Sequence, residues 1–323
     1  MLNFADFLDS SISKIDPMIR PHWEIDHVCF RTESLEEYEY LKNQYSTWSQ
    51  LLIESEVGGR PIATFKLDNA TSVGNHLVDL IELPAPKKGK DVKGGLEHFE
   101  VVIDKTFQNL MNDYPDIAWN TSALSKDLNP ELQASFEGFN VKFHYHSLEQ
   151  VINIEKNISV SKFLDESQIL SKLKAYQPLI SGTIPLGIDT KESDLDILFQ
   201  ADNFKEFLDI IKDIFPMAEN RIETDYSLSS FSFKGLNVEL FCQKLHPIEQ
   251  SAHRHLRTEA RLLKLLSLKF KQKIIELKEA GVKTEPAFGE VLGLNDPYVD
   301  LLTLGNLSDS QLLERFSHLR ESL

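Results

Sequence analysis

Asp194 and Asp196 stand two residues apart in Ser193-Asp194-Leu195-Asp196-Ile197, shortly after a glycine-bearing turn, Gly182-Thr183-Ile184-Pro185-Leu186-Gly187. Side chains alternate along a strand, so both acids point to one side while Leu195 and Ile197 enter the core. Two ionised carboxylates that close repel each other, and one pKa rises unless a cation joins them. Oxygen-only ligands favour Mg²⁺ or Mn²⁺, and Mg²⁺ typically bridges one or two carboxylates to substrate phosphates. A third acid, Glu239, sits in Asn237-Val238-Glu239-Leu240-Phe241, a run that reads as another strand. An acid among apolar strand residues is costly unless paired or metal-bound. Side by side, the two strands would bring three carboxylates together, enough to hold two metals for in-line displacement at phosphorus. Backbone N–H groups around Gly182 and Thr183, at a helix N-terminus, would cradle phosphates. A lone Asp-x-Asp also suits a solvated strand edge; turn, spacing and third acid together favour the metal.

A second set of ligand-type residues lies in the first half, one on each of four predicted strands. They are His27 in Glu24-Ile25-Asp26-His27-Val28, Glu82 in Ile81-Glu82-Leu83-Pro84, His98 in Glu97-His98-Phe99-Glu100, and His144 in Lys142-Phe143-His144-Tyr145-His146. A His opens the first unit and a Glu closes it; a His opens the second and another ligand-type residue closes it. This order reads as an internal two-fold pseudo-repeat of a βαβββ unit. Two or three His with a carboxylate suit Zn²⁺, Ni²⁺, Fe²⁺ or Mn²⁺. The alternative is four polar residues that satisfy one another inside a curved sheet. Glu100 shares a face with His98 and is either a supporting partner or an exposed salt-bridge acid, the latter being the expectation.

The elements that must position these residues follow from periodicity. Phe4, Phe7, Leu8, Ile12 and Ile15 recur at helical spacing. Strands are predicted over 25–31, 61–67, 77–83, 96–103 and 140–145, and helices over 35–45 and 105–114. The chain divides near 153–165, a polar and broken stretch, into a domain at 1–155 and another at 160–323. The second half reads as a helix over 166–175, strands at 179–181, at the acid pair, 229–233 and 236–242, and a helix over 203–215. A long helix over 249–275 follows, with Leu256, Ala260 and Leu263 on its apolar stripe. Gly281 reads as a helix C-cap, with Lys283–Phe288 a loop able to close over a site. The region from Arg254 to Lys283 is locally basic; His253, Arg257 and Lys283 are the candidates for phosphate contact, and most of the other cations read as a solvated face.

The 323 residues fit two domains, and 41% hydrophobic with 26% charged residues is ordinary for a chain that buries real cores. A net charge of -16 argues against indiscriminate binding to nucleic acid or anionic membranes. Cys29 and Cys242, far apart, read as reduced core thiols. No signal peptide or membrane span is evident, so a cytoplasmic location is the expectation.

Gly182-Thr183-x-x-x-Gly187 with Ser193-Asp194-x-Asp196 resembles the signature of the nucleotidyltransferase superfamily, the polymerase-β-like enzymes, with Thr183 where Ser is usual. From about Ser159 to Leu323 the chain is similar to an uncharacterised bacterial domain family of that superfamily; Gln250–His255, Lys283–Phe288 and Asn295–Tyr298 carry the likeness. Residues 1–155 resemble the vicinal oxygen chelate superfamily of glyoxalase-type enzymes and, more closely, the YecM family, through Trp23–His27, Gly59-Arg60-Pro61-Ile62, Phe65-Lys66-Leu67, Ile81–Pro84, Glu97–Glu100 and Lys142–His144. This resemblance maps His27, Glu82 and His98 onto metal-ligand positions; the fourth, usually Glu, is offered here by His144, with His146 and Glu149 nearby. The fold implied is α+β: a vicinal-oxygen-chelate-type paired βαβββ domain, then an α/β nucleotidyltransferase-fold domain with a helical C-terminal extension. The function implied is Mg²⁺-dependent transfer of a nucleoside monophosphate from a nucleoside triphosphate to an unidentified acceptor. Asp194, Asp196 and Glu239 would hold the metal, Gly182, Thr183 and Ser193 the phosphates, and Asp196 and Glu239 would assist deprotonation. In the alternative, this half only binds nucleotide and the N-terminal metal site carries the chemistry or sensing.

Overall fold

The computed structural model describes residues 4–89 and 93–319. Its first half runs α1 (Phe4–Ile15), β1 (Glu24–Arg31), α2 (Leu35–Tyr45), β2 (Ser49–Glu56), β3 (Pro61–Val73), β4 (His76–Pro84), β5 (Gly95–Val102), α3 (Phe107–Asp113), β6 (Trp119–Asn120), β7 (Leu132–Phe136) and β8 (Phe139–His144). After α1 this is βαβββ twice, the expected pseudo-repeat. The strands form one eight-stranded sheet in the order β2-β3-β4-β1-β5-β8-β7-β6, with the two units meeting at β1 and β5. Within each unit the first strand lies parallel to the last, and β1 runs antiparallel to β5. That topology brings the strands bearing His27, Glu82, His98 and His144 side by side at the centre of the sheet.

The second half runs α4 (Leu148–Lys156), α5 (Ile158–Ser167), α6 (Ile169–Lys172), β9 (Leu179–Ser181), α7 (Thr183–Leu186), β10 (Leu195–Gln200), α8 (Phe204–Ile214), β11 (Glu219–Ile222), β12 (Tyr226–Phe233) and β13 (Leu236–Gln243). Helices α9 (Ser251–Leu265), α10 (Leu268–Glu279), α11 (Thr284–Leu292), α12 (Pro297–Leu304) and α13 (Asp309–Arg315) complete it. Its five-stranded sheet has the order β11-β12-β13-β10-β9. The whole is α+β, with a helical C-terminal region, as the sequence implied.

Several boundaries differ for identifiable reasons. The stretch 153–165 is helical: Asn157 caps the end of α4 and, through its side chain, the start of α5. The single helix predicted over 249–275 is two, because Ser267 turns extended and its hydroxyl accepts the Phe270 N–H to start α10. Lys283–Phe288 is not a loop but the cap and first turn of α11. Pro286 is tolerated there because first-turn N–H groups have no intrahelical partner.

The two halves share buried polar seams. Lys264 of α9 donates to Glu24 Oε1 at 2.9 Å and lies 3.5 Å from Asp79. Arg261 is held by Asp309, whose other oxygen accepts the Leu77 N–H of β4. His146, just past β8, bonds the Ile180 carbonyl of β9 at 2.7 Å. Charges this buried persist only when paired.

Candidate functional site

Asp194 stands just before β10 and Asp196 within it; β10 lies parallel to β13 with Asp196 opposite Glu239 and antiparallel to β9 with Asp196 opposite Ser181. Leu195, Ile197, Val238 and Leu240 are buried while Asp196 and Glu239 are half-buried, so both acids rise from the same face. Gly182, capping the start of α7, presses on Asp196: its φ is +75°, and a Cβ there would meet Asp196 Oδ2 at 2.0 Å. Thr183 Oγ1 donates to Ser193 Oγ at 3.2 Å, and Ser193 Oγ accepts the Thr190 N–H at 2.9 Å, tying the turn to the approach of the acid strand.

Burial, then the neighbouring Glu239 and Asp194, push the Asp196 carboxyl up to about 7. Glu239 is raised by burial and Asp194, opposed by Arg221 and Lys283. Asp194 thus acts on both Asp196 and Glu239, and Glu239 on Asp196. They stand more openly than the histidines and carboxylates of the first half: among the described residues, no set of three potential ligand atoms within 4.8 Å of one another includes any of them. Lys283 stands in the field of Glu239, and Lys278 and Glu285 in that of Asp196. Arg221, Lys278 and Glu285 were not singled out from the sequence, because only the helical packing of α10 and α11 and the pairing of β11 bring them here.

His253 and Arg257 go elsewhere. His253 is fully buried, its ring edge-on to His146 at 5.8 Å. Burial, then His146, Arg257 and His246, hold its pKa well below the usual imidazole value. Arg257 pairs with Asp104 at 3.4 Å in a cleft whose lining includes none of the three acids.

In the first half, ligand atoms of His27, Glu82 and His98 lie within 4.8 Å of one another, and so do those of Asp26, Glu100 and His144. Glu100 stands between the histidines: His144 Nε2 is 3.1 Å, His98 Nε2 3.3 Å and His27 Nε2 3.5 Å from its carboxylate. It is not an exposed surface acid; its side chain is 12% accessible. His27 Nδ1 bonds Asp26 Oδ2 at 2.9 Å, and the same oxygen accepts the Leu148 N–H at 2.9 Å. A carboxylate behind one ring nitrogen, with the other aimed into a cavity, is how proteins orient metal-ligating histidines. The Nε2 atoms of His27, His98 and His144 are buried without a hydrogen-bond partner. They line a cavity of about 540 Å³.

Charge balance shapes this cluster. Burial opposes the charge of His27, but Glu100 and Asp26 outweigh it and raise its pKa well above the ordinary value. Burial would raise Glu100, but the neighbouring His27, Lys142 and His144 hold it well below the carboxylate range. The pseudo-repeat adds a detail. Cys29 faces Glu82 in the first unit, and Glu100 faces Lys142 in the second. With His27 matched to His98, the counterpart of Glu82 is thus Lys142, which donates to Glu100 at 2.7 Å; His144 comes two residues later on the same side.

Comparisons find similar proteins for each half. Protein YecM of Escherichia coli is 28% identical over 147 residues, covering 41% of this chain and 78% of the relative. The solved structural-genomics protein EC4020 is 25% identical, with a TM-score of 0.38 over 48% of this chain and 92% of that one. A Cid1 poly(U) polymerase solved with MgGTP bound is 13% identical, with a TM-score of 0.33 over 46% of this chain and 50% of that one. Residues 3–129 match the family model described as YecM protein and residues 162–304 that described as Domain of unknown function (DUF4269), so the chain joins a YecM-like half to a half similar to that second family.

Proposed function

We propose that the C-terminal half, residues 160–323, moves a nucleoside monophosphate from a nucleoside triphosphate to a hydroxyl or phosphate acceptor, with Mg²⁺. The observation that carries this reading is the register pair Asp196–Glu239, with Gly182 closed against Asp196. A carboxyl driven up to about 7 by burial and two neighbouring acids suits a hard cation in its place. Asp194, Asp196 and Glu239 would hold the ion, which when bound neutralises phosphate charge and favours ionisation of the acceptor. The N–H groups at Gly182 and Thr183 bind the β- and γ-phosphates, and Ser193 fixes the turn that presents them. Asp196 and Glu239 take the acceptor proton. The acceptor oxygen bonds the α-phosphorus as the α–β bridging P–O bond breaks, and pyrophosphate leaves with the bridging oxygen. The base preferred and the acceptor are found by one experiment: labelled ATP, CTP, GTP and UTP with Mg²⁺ and a cell extract. Label transferred by the native protein and not by Asp194→Ala supports the reading; absence of any Mg²⁺-dependent triphosphate binding overturns it.

A second reading rests on the three imidazoles converging at Glu100. Here the C-terminal half binds nucleotide without chemistry, and a transition metal held by His27, Glu82 and His98, with His144 or Glu100 completing the set, carries reaction or sensing. The donor set of nitrogens and carboxylate fits Zn²⁺, Ni²⁺, Fe²⁺ or Mn²⁺. Metal analysis of purified protein and of a His27→Ala/His98→Ala variant separates the readings.

A further inference from the structure

Helix α9 carries Arg254, Arg257 and Arg261, three arginines spaced so that all line one cleft of about 320 Å³ between the helix, the segment after β5 and the end of α12. Their circumstances differ. Arg261 is fully used: it donates to Asp309 and to the carbonyls of Gly305 and Leu307. Arg257, one turn earlier, has a side chain only 10% accessible, yet its ion pair is a single contact to Asp104 at 3.4 Å. Asp104 is already held by the ring N–H of Trp23 at 2.6 Å and by His22 at 2.9 Å. Burial lowers the pKa of Arg257, and Asp104 only partly restores it. Arg254 is exposed at the mouth and forms no ion pair among the described residues. A guanidinium offers five donors in a fork that matches phosphate oxygens. The single long ion pair of Arg257 leaves most of its donors open to the cleft, where an anion would make stronger, charge-assisted bonds than water does. Leu245 and Leu302, neither of them buried, add apolar surface to the lining. Glu249 is the other acid on the rim.

We propose that this cleft binds a small organic phosphate monoester. The phosphate lies against Arg254 and Arg257, and the organic part against Leu245 and Leu302. This site is separate from the carboxylate trio and independent of the reaction proposed for it. It also accounts for a cationic stripe inside a chain of net charge -16.

The test is calorimetric titration of the full chain in EDTA with phenyl phosphate and with inorganic phosphate. Chelation keeps metal-bridged phosphate from occupying the acids. Saturable one-to-one binding is expected, tighter for phenyl phosphate than for phosphate. Arg254→Ala, a change at an exposed residue without an ion pair, weakens it roughly tenfold, the loss of one charge-assisted bond. Arg257→Lys, which keeps the charge, weakens it too, Glu249→Gln tightens it, and Asp194→Asn leaves it unchanged. The proposal is overturned if neither anion binds saturably, if Arg254→Ala and Arg257→Lys bind as the native chain does, or if Asp194→Asn abolishes binding.

Discussion

Gly182 and Asp196 touch so closely that no side chain fits between them: a Cβ on Gly182 would lie 2.0 Å from the carboxylate oxygen, at a φ of +75°. Substitution by Ala therefore meets strain twice. Gly182→Ala is expected to cost about 1–3 kcal/mol for the backbone conformation alone, and to turn Asp196 off its face. Urea unfolding measures the first effect. Mg²⁺-dependent triphosphate binding by a still folded variant measures the second, and undiminished binding would show that the contact is incidental.

In the second reading proposed above, Asp26 holds His27 from behind, so it would act on metal affinity rather than on ligand number. Asp26→Asn is expected to lower transition-metal affinity about 10–100-fold, the usual cost of losing such a supporting carboxylate. His27→Ala removes a ligand outright and leaves the purified protein without stoichiometric metal. Competition against a chromophoric chelator ranks the two. Equal affinity in the Asp26 variant and the native chain counts against a ligand role for His27.

Glu259 on α9 is 4% accessible, with one carboxyl oxygen unpartnered. Burial, then Glu285, push it up to about 8. A carboxyl raised in the folded state favours folding fully below its unfolded value of 4.5 and loses that contribution as pH rises through about 8. Glu259→Gln should thus flatten the stability profile across that window. The difference from native amounts to at most a few kcal/mol at alkaline pH. Parallel native and variant profiles from pH 5 to 9 would contradict it.

Lys264 is 8% accessible and paired with Glu24 and Asp79 across the seam between the halves. Removing one partner strands buried charge, typically at about 3–5 kcal/mol. Lys264→Met should lower stability by that order, and adding Glu24→Gln and Asp79→Asn should recover part of it. A fall confined to one half, seen by hydrogen exchange, would mean that the seam does not couple them.

Local signals were legible where a residue's neighbours in sequence decide its structure. Leu35–Tyr45 is a helix as read, started by Ser34, whose hydroxyl accepts the Glu37 N–H. Asp196 and Glu239 met because alternation and strand pairing fix facing. β2 was missed: Ser49–Glu56 has no clean alternation, lies at the sheet edge and has no buried residue. Glu100 was read as a surface acid because nothing local says that three imidazoles from β1, β5 and β8 will surround it. Arg257 and His253 read as phosphate contacts, but His253 is buried against His146 and Arg257 pairs with Asp104 of the first half. Long-range packing, not propensity, decides such residues.

The bond from His146 to the Ile180 carbonyl has a mechanical consequence. His146 follows His144 by two positions, and Ile180 precedes Gly182 by two. One imidazole thus rivets the rim of the histidine chamber to the strand that ends at the glycine bend. A ligand drawing His144 inward would tug that strand, and with it the floor on which a triphosphate would rest.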